Sequence, residues 1–94
     1  IHEAFAAQVL CTLKAWEDET FCREKLGWDG ALGRIDRAKL NVVGSSLAVG
    51  HPFAATGARI VATAAKLLKE KGKGRALISV CTAGGMGVAA IVER

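Results

Sequence analysis

The sequence has no tyrosine, one proline and one methionine, and aromatic residues make up only 5% of its 94 positions. None of these few rings interleaves the densest basic stretch, Lys66, Lys69, Lys71, Lys73 and Arg75. That stretch therefore lacks the stacking platforms of a single-stranded nucleic-acid groove. It reads as the wet face and C-terminal end of a helix, where cations also suit the helix dipole. No apolar run nears the ~20 residues that a membrane-spanning helix needs, and no signal-peptide layout is present. The cysteines Cys11, Cys22 and Cys81 form no Cys-x-x-Cys pair, which removes the zinc-ribbon and dithiol readings. An odd number of separated thiols suits a reducing, cytoplasmic compartment. Internal repeats and low-complexity segments are also missing.

What is present is an ordinary globular balance, 51% hydrophobic and 23% charged, in a length that allows one compact domain at most. The net charge of +4 is uneven, with residues 1–33 acidic and residues 34–94 basic. The chain opens at Ile1-His2-Glu3 without an initiating Met, and we expect it to belong to something longer.

Periodicity organises the chain. Phe5, Val9, Leu13 and Trp16 recur on one stripe of an amphipathic helix predicted over Glu3 to Trp16. Asp18 and Thr20 can cap a second short helix carrying Phe21 and Leu26, with Glu19 and Arg23 as an i,i+4 pair and Gly27 as its stop. Cys11 and Cys22 fall among apolar helical positions, where packing is the expected role. Gly27 to Lys39 reads as an irregular connection. Leu40 to Val49 is predicted to be a strand interrupted at Gly44-Ser45-Ser46. Gly50-His51-Pro52 is a sharp turn, because proline biases the preceding residue away from helical angles. A helix then runs from about Ala55 to Lys71, with Ile60, Val61, Ala64, Leu67 and Leu68 inward and Arg59, Lys66, Lys69 and Glu70 outward. Arg75 to Cys81 and Val88 to Val92 are predicted as buried strands of a hairpin joined by a broad glycine loop. The fold class is α/β: a mixed sheet with helices packed on it and a C-terminal β-hairpin.

The reactive side chains sit at element ends, where α/β proteins gather ligands. His2 precedes the first helix, His51 lies before another, and Cys81 ends a strand. An imidazole and a thiol both exchange protons near neutral pH, and glycines after Cys81 expose backbone N–H groups that can receive an oxyanion. Satisfied polar residues in turns are the competing explanation.

Three phrases carry a resemblance. Asn41-Val42-Val43-Gly44-Ser45-Ser46 through Gly50-His51-Pro52-Phe53-Ala54-Ala55-Thr56-Gly57 resembles the Asn-x-x-Gly-Gly to Gly-His-Pro-x-x-Ala-[Ser/Thr]-Gly block of thiolases. Cys81-Thr82-Ala83-Gly84-Gly85-Met86-Gly87 is similar to their Cys-x-Gly-Gly-Gly-x-Gly block, and His2-Glu3-Ala4-Phe5-Ala6 to their Asn-Glu-Ala-Phe-Ala block. The order is the family's, and the resemblance covers essentially the whole chain. His2 for Asn and Ala83 for Gly are similar to the branch containing the β-subunits of fatty-acid oxidation complexes.

The resemblance implies that residues 1–94 are the C-terminal part of a thiolase C-terminal domain, without the domain that bears the nucleophilic cysteine. Thiolases cleave 3-ketoacyl-CoA with CoA through a cysteine acyl-enzyme. By match, His51 accepts the nucleophile's proton, and Cys81 is the general acid/base toward the acetyl-CoA carbanion and the incoming CoA thiol. His2 joins His51 at the thioester oxygen, and the backbone of Ala83 and Gly84 lies in the second oxyanion site. No cofactor or metal is implied beyond the coenzyme A thioester substrate. Expected partners are acyl-CoA, CoA, further copies of the chain and a hydratase/dehydrogenase subunit, with no nucleic acid and no integral membrane segment. The 94 residues alone are expected to be inactive, because neither Cys11 nor Cys22 has a nucleophile-like context.

Two departures from the pattern matter. Ala83 is harmful only if its backbone needs a positive φ. Ser45, in place of a glycine, narrows a close approach. Alternatives are a biosynthetic acetoacetyl-CoA-type thiolase and a non-catalytic interaction module. A ketoacyl-synthase-like enzyme would carry a histidine where Cys81 stands, and a metal site of His2, His51 and Cys81 lacks short ligand spacing.

Overall fold

A computed structural model describes residues 1–94, which divide into two compact units. The first, Phe5–Val42, is a helical hairpin. Its helices are α1 (Ala6–Glu17) and α2 (Glu19–Leu26). Asp18 separates them in extended conformation, and its carboxylate accepts the Phe21 amide at 2.8 Å, the capping role its side chain predicts. Arg23 reaches Glu19 at 2.9 Å and Asp29 at 2.9 Å. Gly27 closes α2 at φ 63, a left-handed angle that glycine adopts without steric cost. Val9, Leu13 and Cys22 are the buried residues of this unit. The Cys22 thiol donates to the carbonyls of Ala15 and Trp16, so this cysteine packs as expected. Cys11 does not, because it lies on the exposed side of α1.

Helix α1 starts three residues later than its hydrophobic stripe predicts. Residues before Ala6 are held elsewhere: the His2 amide donates to the Ser79 carbonyl, and Glu3 accepts the Leu47 amide. These tertiary bonds outweigh local helix propensity, and Phe5 is exposed as a result.

The second unit comprises Ile1–Ala4 and Val43–Arg94. It contains α3 (Ser46–Val49), α4 (Thr56–Lys71), β1 (Arg75–Thr82) and β2 (Met86–Glu93). The two strands pair antiparallel, with Ile78 opposite Ala90 and Cys81 opposite Gly87. Helix α4 packs on one face of β1, where Ile60, Ala64 and Ile78 form the core, flanked by Ala76, Val80 and Val92. Strand alternation sends Leu77, Ser79 and Cys81 to the opposite face. The helices, the sheet and the C-terminal hairpin match the α/β expectation.

Four local expectations need correction. Leu40 to Val49 is not a strand: a single 3-10 turn ends at Lys39, Gly44 takes φ 84, and Ser46–Val49 is one turn of α-helix. The backbone bonds Val49 N to Ser45 O and Gly50 N to Ser46 O replace a ladder, and Val42, Val43, Leu47 and Val49 stay exposed. The β2 strand is not buried, with Val88 60% and Ile91 68% exposed, because α4 lies mainly over β1: Ile91 is on the far face opposite Leu77, and Val88, opposite Val80, lies outside the cover of the helix. The hairpin loop is tight, only Ala83–Gly85, since pairing continues to Thr82 and Met86. Val61 is exposed, leaving Ile60, Ala64 and Leu68 as the narrow buried stripe of α4.

Because Ile78 joins α4 to the sheet, Ile78→Ala is expected to lower unfolding free energy by about 2–5 kcal/mol. Urea denaturation of the purified chain checks this, and a loss below ~1 kcal/mol would contradict the assigned core.

Candidate active site

Three of the four elements of the second unit, α3, α4 and β1, contribute to one hydrogen-bonded cluster. It begins with the antiparallel register. Gly74 and Arg94 exchange backbone bonds, so odd-numbered residues of β1 turn their backbone groups away from β2. Ser79 is one of these, and its free carbonyl accepts the His2 amide at 2.8 Å. The Ser45 hydroxyl donates to the Ile1 carbonyl at 3.0 Å, and the Glu3 carboxylate accepts the Leu47 amide at 3.1 Å. Together these bonds fasten residues 1–4 between α3 and the outer edge of β1. Ser45, which departs from the glycine pattern, adds a tether here and has extended backbone, so it carries no strain.

This docking buries His2 to 1% exposure. Its Nδ1 lies 2.7 Å from Ser46 Oγ, and its ring centroid is 4.3 Å from that of His51. Burial is the main cause that pushes the His2 pKa below its usual range. The nearby His51, Arg59 and Ile1 amino group add to this, while Glu3 opposes it.

His51 is exposed and stands in the turn between α3 and α4. Gly50 enters that turn at φ 86, and Ala54 leaves it at φ 66. A left-handed angle in a residue with a Cβ costs roughly 1–2 kcal/mol, so the turn stores strain beside His51. His51 Nδ1 is 2.6 Å from Thr56 Oγ1, and the Thr56 hydroxyl donates to the Pro52 carbonyl at 3.2 Å. The short bond ties Nδ1 to the first turn of α4, so Nε2 is the ring nitrogen left for proton transfer. Phe53 lies 5.0 Å from the His51 ring and is 86% exposed, so it shields one side of the imidazole without entering a core.

Cys81 is a half-buried free thiol near the end of β1, two residues beyond the carbonyl that holds His2. Ala83 has no positive φ, and the left-handed angles fall on Gly84 (φ 74) and Gly85 (φ 73), so alanine fits where the family pattern has glycine. The structure thus brings His2 and His51 into contact, whereas Cys81, Ala83 and Gly84 lie farther along the chain, past the Ser79 carbonyl that holds His2. No hydrogen bond joins the Cys81 thiol to either imidazole. His2, His51 and Cys81 do not form a metal-binding group.

Sequence reasoning missed Ser46, Thr56 and Arg59. Arg59 is half-buried, contrary to its expected outward direction. Its Nη2 donates to Ser46 Oγ at 3.0 Å and Ser45 Oγ at 3.5 Å, and its Nε is buried without a partner. The available signal was Thr56-x-x-Arg59, an i,i+3 polar pair in the first turn of a helix whose next buried residues are apolar.

A helix laid on a β-hairpin, two hydroxyl-anchored imidazoles and a thiol near a strand end before Gly84-Gly85 are the features that the resemblance to thiolases implies. The family model described as "Thiolase, C-terminal domain" matches residues 1–94, and the chain belongs to that family. Its relatives include the 3-ketoacyl-CoA thiolase of Yersinia pestis (strain Pestoides F), 52% identical over 93 residues, covering 99% of this chain and 21% of the relative. The 3-ketoacyl-CoA thiolase of Yersinia pseudotuberculosis (strain YPIII) matches with the same identity and coverage. The chain therefore spans about a fifth of the length of these curated relatives.

The lowered pKa of His2 fixes a pH dependence of stability. The unfolded chain protonates this imidazole near pH ~6.5, whereas the folded chain resists doing so. Stability is therefore expected to fall as pH drops through that value. The urea midpoint, compared at pH 7.5 and 5, checks this, and His2→Gln is expected to reduce the difference. A midpoint that rises on acidification would contradict the buried neutral imidazole.

Proposed function

We propose that this chain supplies the acid–base half of a 3-ketoacyl-CoA thiolase site. His51 removes the proton of a nucleophilic cysteine outside the matched segment. The thiolate attacks the 3-keto carbon, the bond to the acetyl unit breaks, and Cys81 protonates the departing acetyl-CoA carbanion. Cys81 then takes the proton of the incoming CoA thiol, which attacks the acyl-enzyme and releases shortened acyl-CoA. His2 and His51 face the thioester oxygen, and the backbone N–H groups of Ala83 and Gly84 serve the second oxyanion site. The observation that carries this reading is the His2–His51 pair, with ring centroids 4.3 Å apart and His2 tied to the strand that carries Cys81.

In the same reading the reaction belongs to fatty-acid β-oxidation in the cytoplasm, and the site residues need no cofactor besides coenzyme A itself. Homo-oligomerisation covers the exposed apolar residues Leu77, Val88 and Ile91 of the hairpin, and a hydratase/dehydrogenase subunit is a further partner. Support for catalysis ahead of a purely structural module comes from the two imidazoles, since burying one of them unpaired with a carboxylate opposes stability at low pH. No helix is long and apolar enough to cross a membrane.

The test is a graft in which this chain replaces the matching segment of the Yersinia pestis relative. The graft is expected to retain thiolysis of acetoacetyl-CoA by CoA, and His51→Ala or Cys81→Ala in it to lower kcat by about 10²–10⁴. The 94-residue chain alone is expected to show no turnover, because the Cys22 thiol is buried against main-chain carbonyls and Cys11 lies on α1. Undiminished activity in both variants, or robust turnover by the chain alone, would overturn the reading.

A further inference from the structure

Ser46 occupies an unusual position for a hydroxyl. It is 4% exposed, and its Oγ has two partners, Arg59 Nη2 at 3.0 Å and His2 Nδ1 at 2.7 Å. A guanidinium only donates hydrogen bonds, so the oxygen accepts from Arg59. Its own proton then has one acceptor within reach, His2 Nδ1. The reverse arrangement, with the proton on Nδ1, leaves the buried hydroxyl proton unsatisfied and is disfavoured. Nδ1 is therefore the bare nitrogen, and the ring proton of His2 sits on Nε2. Full protonation of the ring would remove that acceptor and set a second cation beside Arg59.

We infer that Ser46 and Arg59 are positioning residues that lock His2 as the neutral Nε2–H tautomer, so that it offers the thioester oxygen a hydrogen-bond donor and not an acid. The inference rests on the reading of His2 given under Proposed function. Thr56 anchors His51 through Nδ1 as well, at 2.6 Å. Two imidazoles, tilted by 47° with centroids 4.3 Å apart, are thus each tied at Nδ1 to a buried hydroxyl, one serine and one threonine. The charged and titratable groups facing His2 are His51, Arg59, the Ile1 amino group and Glu3, and only Glu3 favours its protonation.

Long-range proton–nitrogen NMR spectra of the chain with nitrogen-15 histidine read the tautomer directly. At pH 7.5 His2 is expected to show an unprotonated Nδ1 and a protonated Nε2. Ser46→Ala is expected to give mixed tautomers, Ser46→Thr to restore one, and Arg59→Met to raise the His2 titration midpoint. A protonated Nδ1 in the unaltered chain would overturn the inference without any variant. Kinetics of the Yersinia pestis graft supply the second readout. Ser46→Ala is expected to lower kcat by roughly tenfold to a hundredfold with little change in KM, less than the ~10²–10³ of deleting an oxyanion donor. Unchanged kcat in Ser46→Ala, with activity still lost in His51→Ala, would refute the positioning role and leave the thiolase reading standing. Activity undiminished in His51→Ala would refute the thiolase reading, and the spectra would then decide the tautomer alone.

Discussion

The hydrogen bond from the His2 amide to the Ser79 carbonyl joins the start of the chain to a strand near its end, and the site depends on it. Ser79 can accept because it sits in a non-hydrogen-bonded pair of the hairpin, with its backbone turned outward. A single bond of this kind contributes only about 1 kcal/mol. Three others act in parallel: Ser45 to Ile1, Leu47 to Glu3, and Ser46 with His2. Ordering four residues once then serves all of them, so the bonds reinforce one another.

The supporting scaffold is small. One helix face, Ile60, Ala64 and Leu68, meets one strand face, and the site lies at the ends of those elements. The first turn of α4 carries Thr56 and Arg59, which hold His51 and Ser46, so the helix that supplies the core also orients both imidazoles. The end of β1 carries Cys81 and leads into two left-handed glycines. Function thus sits on loops that a rigid pair of elements positions.

Much of this was legible in the sequence. Asp18 and Gly27 bound α2 because capping chemistry is local, and the hairpin was readable from its apolar runs and glycines. Helix α4 was legible because its period is long. The strand expected over Leu40–Val49 fails because Gly44 takes a left-handed angle, and Ser45 and Ser46, not Leu47 or Val49, are the buried residues. The start of α1 was misjudged because bonds from His2 and Glu3 to distant residues cannot be read from local propensity. Among the site residues, His51 and Cys81 stood out by chemical type and motif. Ser46, Thr56 and Arg59 did not, since their roles come from hydroxyls and a guanidinium meeting imidazoles that only the fold brings near. The mistaken outward direction of Arg59 has the same source.

The most direct measurement of the central claim is a crystal structure of the intact Yersinia pestis graft with a non-hydrolysable 3-ketoacyl-CoA analogue. The expected result is the thioester oxygen within ~3.2 Å of both His2 Nε2 and His51 Nε2, with Cys81 Sγ beside the carbon that bears the carbanion. A bound analogue whose thioester lies away from both imidazoles, with His2 still buried against Ser46, would contradict the claim.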